Sequence, residues 1–168
     1  MPSSLSGKTI ALVVCSGFDE QPFVTLQRSL SEAGASVKIV SRDNGVTNGW
    51  SGETWGLSYP VDAALAETLA VDYDGVVIPD GDRHTTLLLN DAHGKRVINA
   101  FLREDAPALV IGSAVSMIAE LGYGPGDAGD AITRTGPLVT APANADLNEM
   151  IDIFDAAMRN GANEDQAA

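Results

Sequence analysis

Cysteine occurs once in the 168 residues, at position 15, and histidine only twice, as His84 and His93. A single cysteine excludes an internal disulfide framework and fits a reducing compartment. So few histidines and cysteines leave no cluster with metal-ligand spacing, and no cofactor is expected. Basic residues are scarce as well: 10 Lys and Arg stand against 23 Asp and Glu, a formal net charge of −13. That balance argues against nucleic acid and against an anionic membrane surface, both of which need a basic face. No apolar run approaches the length of a membrane span, and the M-P-S-S-L-S-G-K start has no apolar stretch after a basic one. The expectation is a cytoplasmic protein that engages neither nucleic acid nor membrane. A single domain over residues 1–168 is expected, with flexible ends at 1–7 and 162–168.

What is present is an alternation of short buried runs and amphipathic stretches. Residues 8–15 (K-T-I-A-L-V-V-C) read as a first buried strand, followed by a loop and a helix whose apolar face is Phe23, Leu26, Leu30 and Ala33, with Gly34 at its end. Residues 37–40 give a second strand, closing a strand–helix–strand unit. Residues 42–60, rich in Gly, Asn, Ser and Thr and carrying Trp50 and Trp55, predict turns and a short hairpin at the sheet edge. A short helix is expected over 62–69 and a third buried strand over 74–78. A loop containing His84 follows. Asp91 is placed to cap a helix with Val97, Ile98, Phe101 and Leu102 on its apolar face. Two short strands are expected near 131–134 and 138–140. The last helix starts at an Asp146-x-x-Glu149 capping pair, presents Leu147, Met150, Ile151, Phe154 and Met158, and is expected to stop at Gly161. The pattern predicts a doubly wound α/β sandwich with a mostly parallel central sheet and helices on both faces.

One corner stands out. In P-A-L-V-I-G-S-A-V-S-M-I-A-E-L-G, residues 107–122, four apolar residues stop at Gly112-Ser113 and helical spacing resumes at once. A buried parallel strand turning sharply into a helix puts that turn at the carboxyl edge of the sheet, where ligands and nucleophiles sit. Here the first residue of the turn is glycine, which has no side chain to react. Ser113 either caps the helix or, at a helix N-terminus, serves as a nucleophile with His84 as base and Asp80 or Asp82 behind it. Against that stands a His84 merely solvated in its loop. Cys15, ending the first strand, is either a buried small side chain or a redox-sensitive thiol, although Asp19 and Glu20 would raise its pKa. His93 is expected at the surface. Trp50 and Trp55 suit either a binding or dimer contact or plain packing over the sheet edge.

Four segments together resemble the DJ-1/PfpI superfamily: V-V-C-S-G-F-D-E, A-G-A-S-V-K-I-V-S, V-D-Y-D-G-V-V-I-P-D-G and P-A-L-V-I-G-S-A. The resemblance implies a flavodoxin-like, class I glutamine amidotransferase-like sandwich. Active members look like I-C-H-G at the turn, with a carboxylate from the first loop bonded to the cysteine. Carried over, the cysteine position is Gly112, its following histidine Ser113 and the next glycine Ala114. The acid falls on Asp19, or on Glu20 if the frame slips by one, and Asp80-Gly81 replaces the usual glycine pair. Protease, glyoxalase or deglycase activity is therefore not implied. The P-A-L-V-I-G-S-A turn and the A-N-A-D-L-N-E-M-I-D-I-F-D-A-A-M ending are also similar to the cysteine-less C-terminal domain of large-subunit catalases. The chain looks like a free-standing relative of that domain or one excised from a longer parent. This resemblance implies a pseudoenzyme with a vestigial Gly112-Ser113 turn, working in oxidative or general stress protection or in assembly, with a chaperone-like role. It implies a homodimer or larger oligomer, and client proteins or a small-molecule ligand at the turn. The alternative is a hydrolase or glyoxalase-type enzyme whose nucleophile has moved to Ser113, with His84, or to Cys15.

Overall fold

The computed structural model describes the backbone of residues 5–43 and 45–167, and side chains within that span up to Arg159. In chain order the elements are β1 (Thr9–Val14), β2 (Phe18–Asp19), α1 (Glu20–Glu32), β3 (Ser36–Ser41), β4 (Val46–Trp50), β5 (Trp55–Pro60), β6 (Ala63–Ala64), β7 (Gly75–Ile78), α2 (Asp82–Leu89), α3 (Ala92–Arg103), β8 (Ala108–Ile111), α4 (Ser113–Glu120), β9 (Thr133–Thr135), β10 (Leu138–Ala141) and α5 (Leu147–Ala167). A seven-stranded sheet runs β6-β3-β1-β7-β8-β10-β9, parallel throughout except for β9 against β10. The chain steps from β1 out to β3 and then returns to the other side at β7. That reversal opens a crevice beyond the carboxyl ends of β1 and β7, as expected of a flavodoxin-like order.

The strands are apolar on both sides because both faces are covered. Along β1, Ile10, Leu12 and Val14 face α1 and α5, where Phe23, Leu26, Leu30, Met150 and Phe154 complete one core layer. Ala11, Val13 and Cys15 face the other way, into a layer built with Leu88, Val97, Ile98, Phe101, Val115 and Ile118 from α2, α3 and α4. The period of two along the strand thus sorts one run of apolar residues into two cores.

Several expectations need correction. The hairpin over 42–60 exists, but its strands β4 and β5 join β2 in a separate three-stranded sheet. The reason is Glu20, which reaches beneath Gly49 and Gly56, where a Cβ would meet it, and accepts hydrogen bonds from Leu57 N–H and the Tyr59 hydroxyl, each at 2.7 Å. The helix expected over 62–69 is reduced to β6 and a single 3₁₀ turn at Leu65–Glu67. Arg96 of α3 donates to the carbonyls of Leu65 and Thr68 and so takes the acceptors a continuing helix would use. The loop expected around His84 is α2. Gly161 does not stop the last helix, whose backbone continues to Ala167; glycine inside a helix costs only about 1 kcal/mol. Of the end expected to be flexible, residues 1–4 lie outside the described residues, but Leu5 is buried and its N–H donates to Ala33 C=O at 2.9 Å. Ala168 also lies outside them. Asp91 caps α3 through Gly94 N–H at 2.8 Å, and Asp146 accepts from Glu149 N–H at 3.3 Å.

Candidate functional site

The turn between β8 and α4 has the geometry its sequence suggests. Gly112 sits at φ +59° and ψ −123°, a conformation that strains any residue with a Cβ. The side chain it lacks would have no room. A Cβ built there would fall on the carboxyl group of Asp80, which arrives from the end of β7. Asp80 Oδ1 accepts the N–H of Ser113 at 2.7 Å, placing a carboxylate at the N-terminus of α4. Asp80, rather than Ser113, therefore caps this helix, and a negative charge there is favoured by the helix dipole.

Asp80 is held in position by its neighbour. Gly81, at φ +144°, packs directly on the backbone of β2; a Cβ there would meet Phe18 Cα and Asp19 N. Asp19 N–H donates to Asp80 C=O at 3.1 Å, so the two residues meet across the crevice. Their carboxyl groups lie close enough for each to shift the titration of the other. Burial first, then the hydrogen bond to Asp80 and the charges of Asp80 and Asp82, raise Asp19 to about 6. Burial also opposes ionisation of Asp80, but the Ser113 N–H, Asp19's proton, the Ser113 side chain and the Gly81 N–H outweigh it and lower its pKa. At neutral pH and somewhat below, the pair is one firm anion beside one carboxyl that titrates close by.

The other sequence candidates lie as follows. Ser113 Oγ accepts from Gly81 N–H at 3.1 Å and lies 3.3 Å from Thr85 Oγ1. His84 is fully buried on α2: its Nδ1 accepts from Cys15 N–H at 3.3 Å, and its Nε2 is 2.6 Å from Pro79 C=O, so Nε2 carries the proton. Both ring nitrogens are engaged, and neither faces Ser113. Burial lowers His84 to about 4, which keeps the ring neutral. Cys15 is buried and burial pushes its thiol up to about 12, so it is not a thiolate at any ordinary pH. Glu20 is occupied under the β4–β5 hairpin, where burial and its hydrogen bond push the Tyr59 hydroxyl up to about 12. Only Gly112, Ser113 and Asp19 meet at the turn, with Asp80 as a fourth member. The sequence pointed to Asp80 as an acid behind His84, a role the structure does not give it, and as the aspartate that stands where the family pattern it resembles has a glycine.

Two cavities flank Asp80. One of about 620 Å³ is lined by Asp80, Asp82, Thr85, Ser113, Ser116 and Glu120 among others, and holds no basic residue. A smaller, apolar one of about 200 Å³ lies between α1 and α5, walled by Leu26, Ile111 and Met150. Among the described residues no group of three or more His, Cys, Asp and Glu side chains is arranged to hold a metal ion, and no helix is long and apolar enough to cross a membrane.

The family described as "DJ-1/PfpI family" matches residues 8–142. No curated protein sequence matches the chain. Among solved structures the chain is similar to Drosophila melanogaster DJ-1beta, at 16% identity and a TM-score of 0.74 over 94% of this chain and 96% of that one. It is similar to a ThiJ/PfpI domain protein from Brachyspira murdochii, at 18% identity and a TM-score of 0.71 over 95% and 98%. It is also similar to a two-domain Anabaena variabilis protein with DJ-1/ThiJ/PfpI-like and ferritin-like domains, at 19% identity and a TM-score of 0.74, over 90% of this chain and 47% of that one.

Proposed function

The chain belongs to the DJ-1/PfpI family, and we propose from that premise that it is a single-domain, non-catalytic member that acts by binding, in stress protection or assembly, as a homo-oligomer in the cytoplasm. One observation carries this reading: the family's nucleophile position is Gly112, and the carboxyl group of Asp80 stands where a nucleophile's side chain would project. In this reading Asp19 is the family acid, now paired with a carboxylate in place of a thiol. The chaperone-like role is what the sequence resemblance of P-A-L-V-I-G-S-A to the cysteine-less C-terminal domain of large catalases implies. A nucleophile moved to Ser113 has no base in contact, since His84 spends both ring nitrogens on Cys15 N–H and Pro79 C=O. A thiol moved to Cys15 is buried and uncharged.

Two measurements on the native protein test this. Exposure to a fluorophosphonate and to iodoacetamide leaves the intact mass unchanged, whereas unfolding in guanidinium releases Cys15 for alkylation. A native adduct on Ser113 or Cys15 would refute the non-catalytic reading. A stoichiometric amount of the protein suppresses light scattering by heat-denatured citrate synthase; scattering equal to that with serum albumin removes the chaperone-like role.

A further inference from the structure

Arg83, in the first turn of α2, is held by three elements. Its stem lies against Gly17 in the loop after β1, where a Cβ would meet Arg83 Cβ. Its guanidinium carbon stands 4.2 Å from the ring centroid of Trp50 and 5.6 Å from that of Trp55, on the β4–β5 hairpin. The two indoles brace one another edge to face, with centroids 5.1 Å apart. A guanidinium stacked in this way has lost its freedom to wander but keeps its N–H groups, which lie in its own plane. None is used within the protein: among the described residues Arg83 enters no ion pair and donates no hydrogen bond. Other basic side chains, such as Arg28 and Lys38, also enter no ion pair among the described residues; Arg83 differs from them in standing over two indoles.

Beside it opens a cavity of about 450 Å³, lined by Ser16, Trp55, Asp82, Arg83, Thr86 and Leu87. That volume is in the range of small-molecule sites, and its wall has the usual mixture of apolar surface with a few directed polar groups. We infer that this cavity binds a small monocarboxylate with an apolar body, its carboxylate held by the fork of Arg83 and its body against Trp55 and Leu87. The planar fork matches a carboxylate through two parallel hydrogen bonds. Thr86 offers a hydroxyl at the same wall, whereas Ser16 spends its own on Asp43 Oδ2 at 2.7 Å and on Asn48 N–H at 3.1 Å. Asp82 and the −13 net charge disfavour a dianion such as phosphate. The site shares Asp82 and Thr86 with the cavity beside Asp80 but includes neither Asp19 nor Asp80, and it stands whether or not the family turn retains chemistry.

Of the two tryptophans of the chain, Trp55 lines this cavity and Trp50 lies beneath the Arg83 guanidinium, so intrinsic fluorescence reports on the site. Titration of the full chain with benzoate gives a saturable fluorescence change, confirmed by calorimetry. Benzamide, the same shape without the charge, binds at least about tenfold more weakly. Arg83→Gln abolishes the benzoate isotherm, and Arg83→Lys, which keeps the charge but not the fork, weakens it severalfold. Benzamide binding as well as benzoate overturns the proposal without recourse to any variant. So does an isotherm unchanged in Arg83→Gln, inorganic phosphate binding more tightly than benzoate, or no saturation by about 10 mM. None of these readouts depends on electrophile labelling or citrate synthase aggregation.

Discussion

Replacing Asp19 by asparagine tests the pairing of Asp19 with Asp80 directly. In the folded protein Asp19 titrates near 6 rather than at its ordinary 3.8, chiefly through burial and then through its hydrogen bond to Asp80. The native state therefore holds a proton between about pH 4 and 6 that the unfolded chain has released. For a carboxyl raised in this way, the stabilising contribution is complete below the unfolded pKa and disappears as pH rises through the folded one. The full linkage of about two pH units corresponds to roughly 3 kcal/mol. Asp19 is only half-buried, so solvent screening reduces this to about 1–2 kcal/mol. Asparagine supplies a permanent N–H donor to Asp80 and no charge. Asp19→Asn is expected to exceed the native protein at pH 8 by about 1–2 kcal/mol, or a Tm shift of about 3–6 °C, and by about half of that at pH 5, where the unfolded chain has already released most of its proton. Chemical denaturation at both pH values measures the difference, and contributions from other titrating groups cancel between the two proteins. Equal stability at pH 8, or destabilisation at both pH values, would refute the carboxyl pair.

Burial holds His84 near 4, below its unfolded 6.5, so its contribution is complete above pH 6.5 and is lost as pH falls towards 4, by about 3 kcal/mol in all. His84→Leu leaves Cys15 N–H and Pro79 C=O unpaired; it is expected to cost about 2–4 kcal/mol at pH 7.5 and to flatten the acid side of the stability–pH profile, and an unchanged profile would contradict the assignment. Gly112→Ala meets both the positive φ and the Asp80 carboxyl, and is expected to cost about 3 kcal/mol or more. In an Asp80→Gly background the same substitution costs about 1–2 kcal/mol, since the strain remains and the contact is gone; additive costs in the double-mutant cycle would show that Asp80 does not occupy that space.

The strands and the long helices were legible because their signals are local. The apolar run of β1, the spacing of Val97, Ile98 and Phe101, and the Gly112-Ser113 break after β8 each follow from a short window of sequence. The element missed outright was α2. D-R-H-T-T-L-L-L has two β-branched residues and no clean helical period, and it becomes helical because Thr85 and Leu88 pack inward and Thr85 Oγ1 bonds Gly81 C=O. His84 read as a solvated loop residue for the same reason: what buries it is two backbone groups left open at the ends of β1 and β7, some 69 and 5 residues away along the chain. Residues 62–69 carried enough apolar residues for a helix, but the competing partner, Arg96, lies on another element. The meeting of Asp19 with Asp80 rests on Gly81 lying against β2, a contact between segments about sixty residues apart that no local pattern encodes.

The placement of Asp80 at the turn follows an electrostatic rule. The N-terminus of α4 ends in N–H groups that favour a negative partner. In the family pattern that this chain resembles, a cysteine with a nearby acid occupies that position. Here Gly112 removes the side chain from the turn, and Asp80 brings a carboxylate to the same N–H groups from the adjacent strand. The helix keeps its anion, and the acid from the first loop keeps a hydrogen-bonding partner. What changes is reactivity, because a carboxylate that accepts the Ser113 N–H is a weaker nucleophile than a thiolate in the same place. Gly112 thus makes room for the Asp80 carboxyl, and the carboxyl supplies the charge that an empty turn would lack.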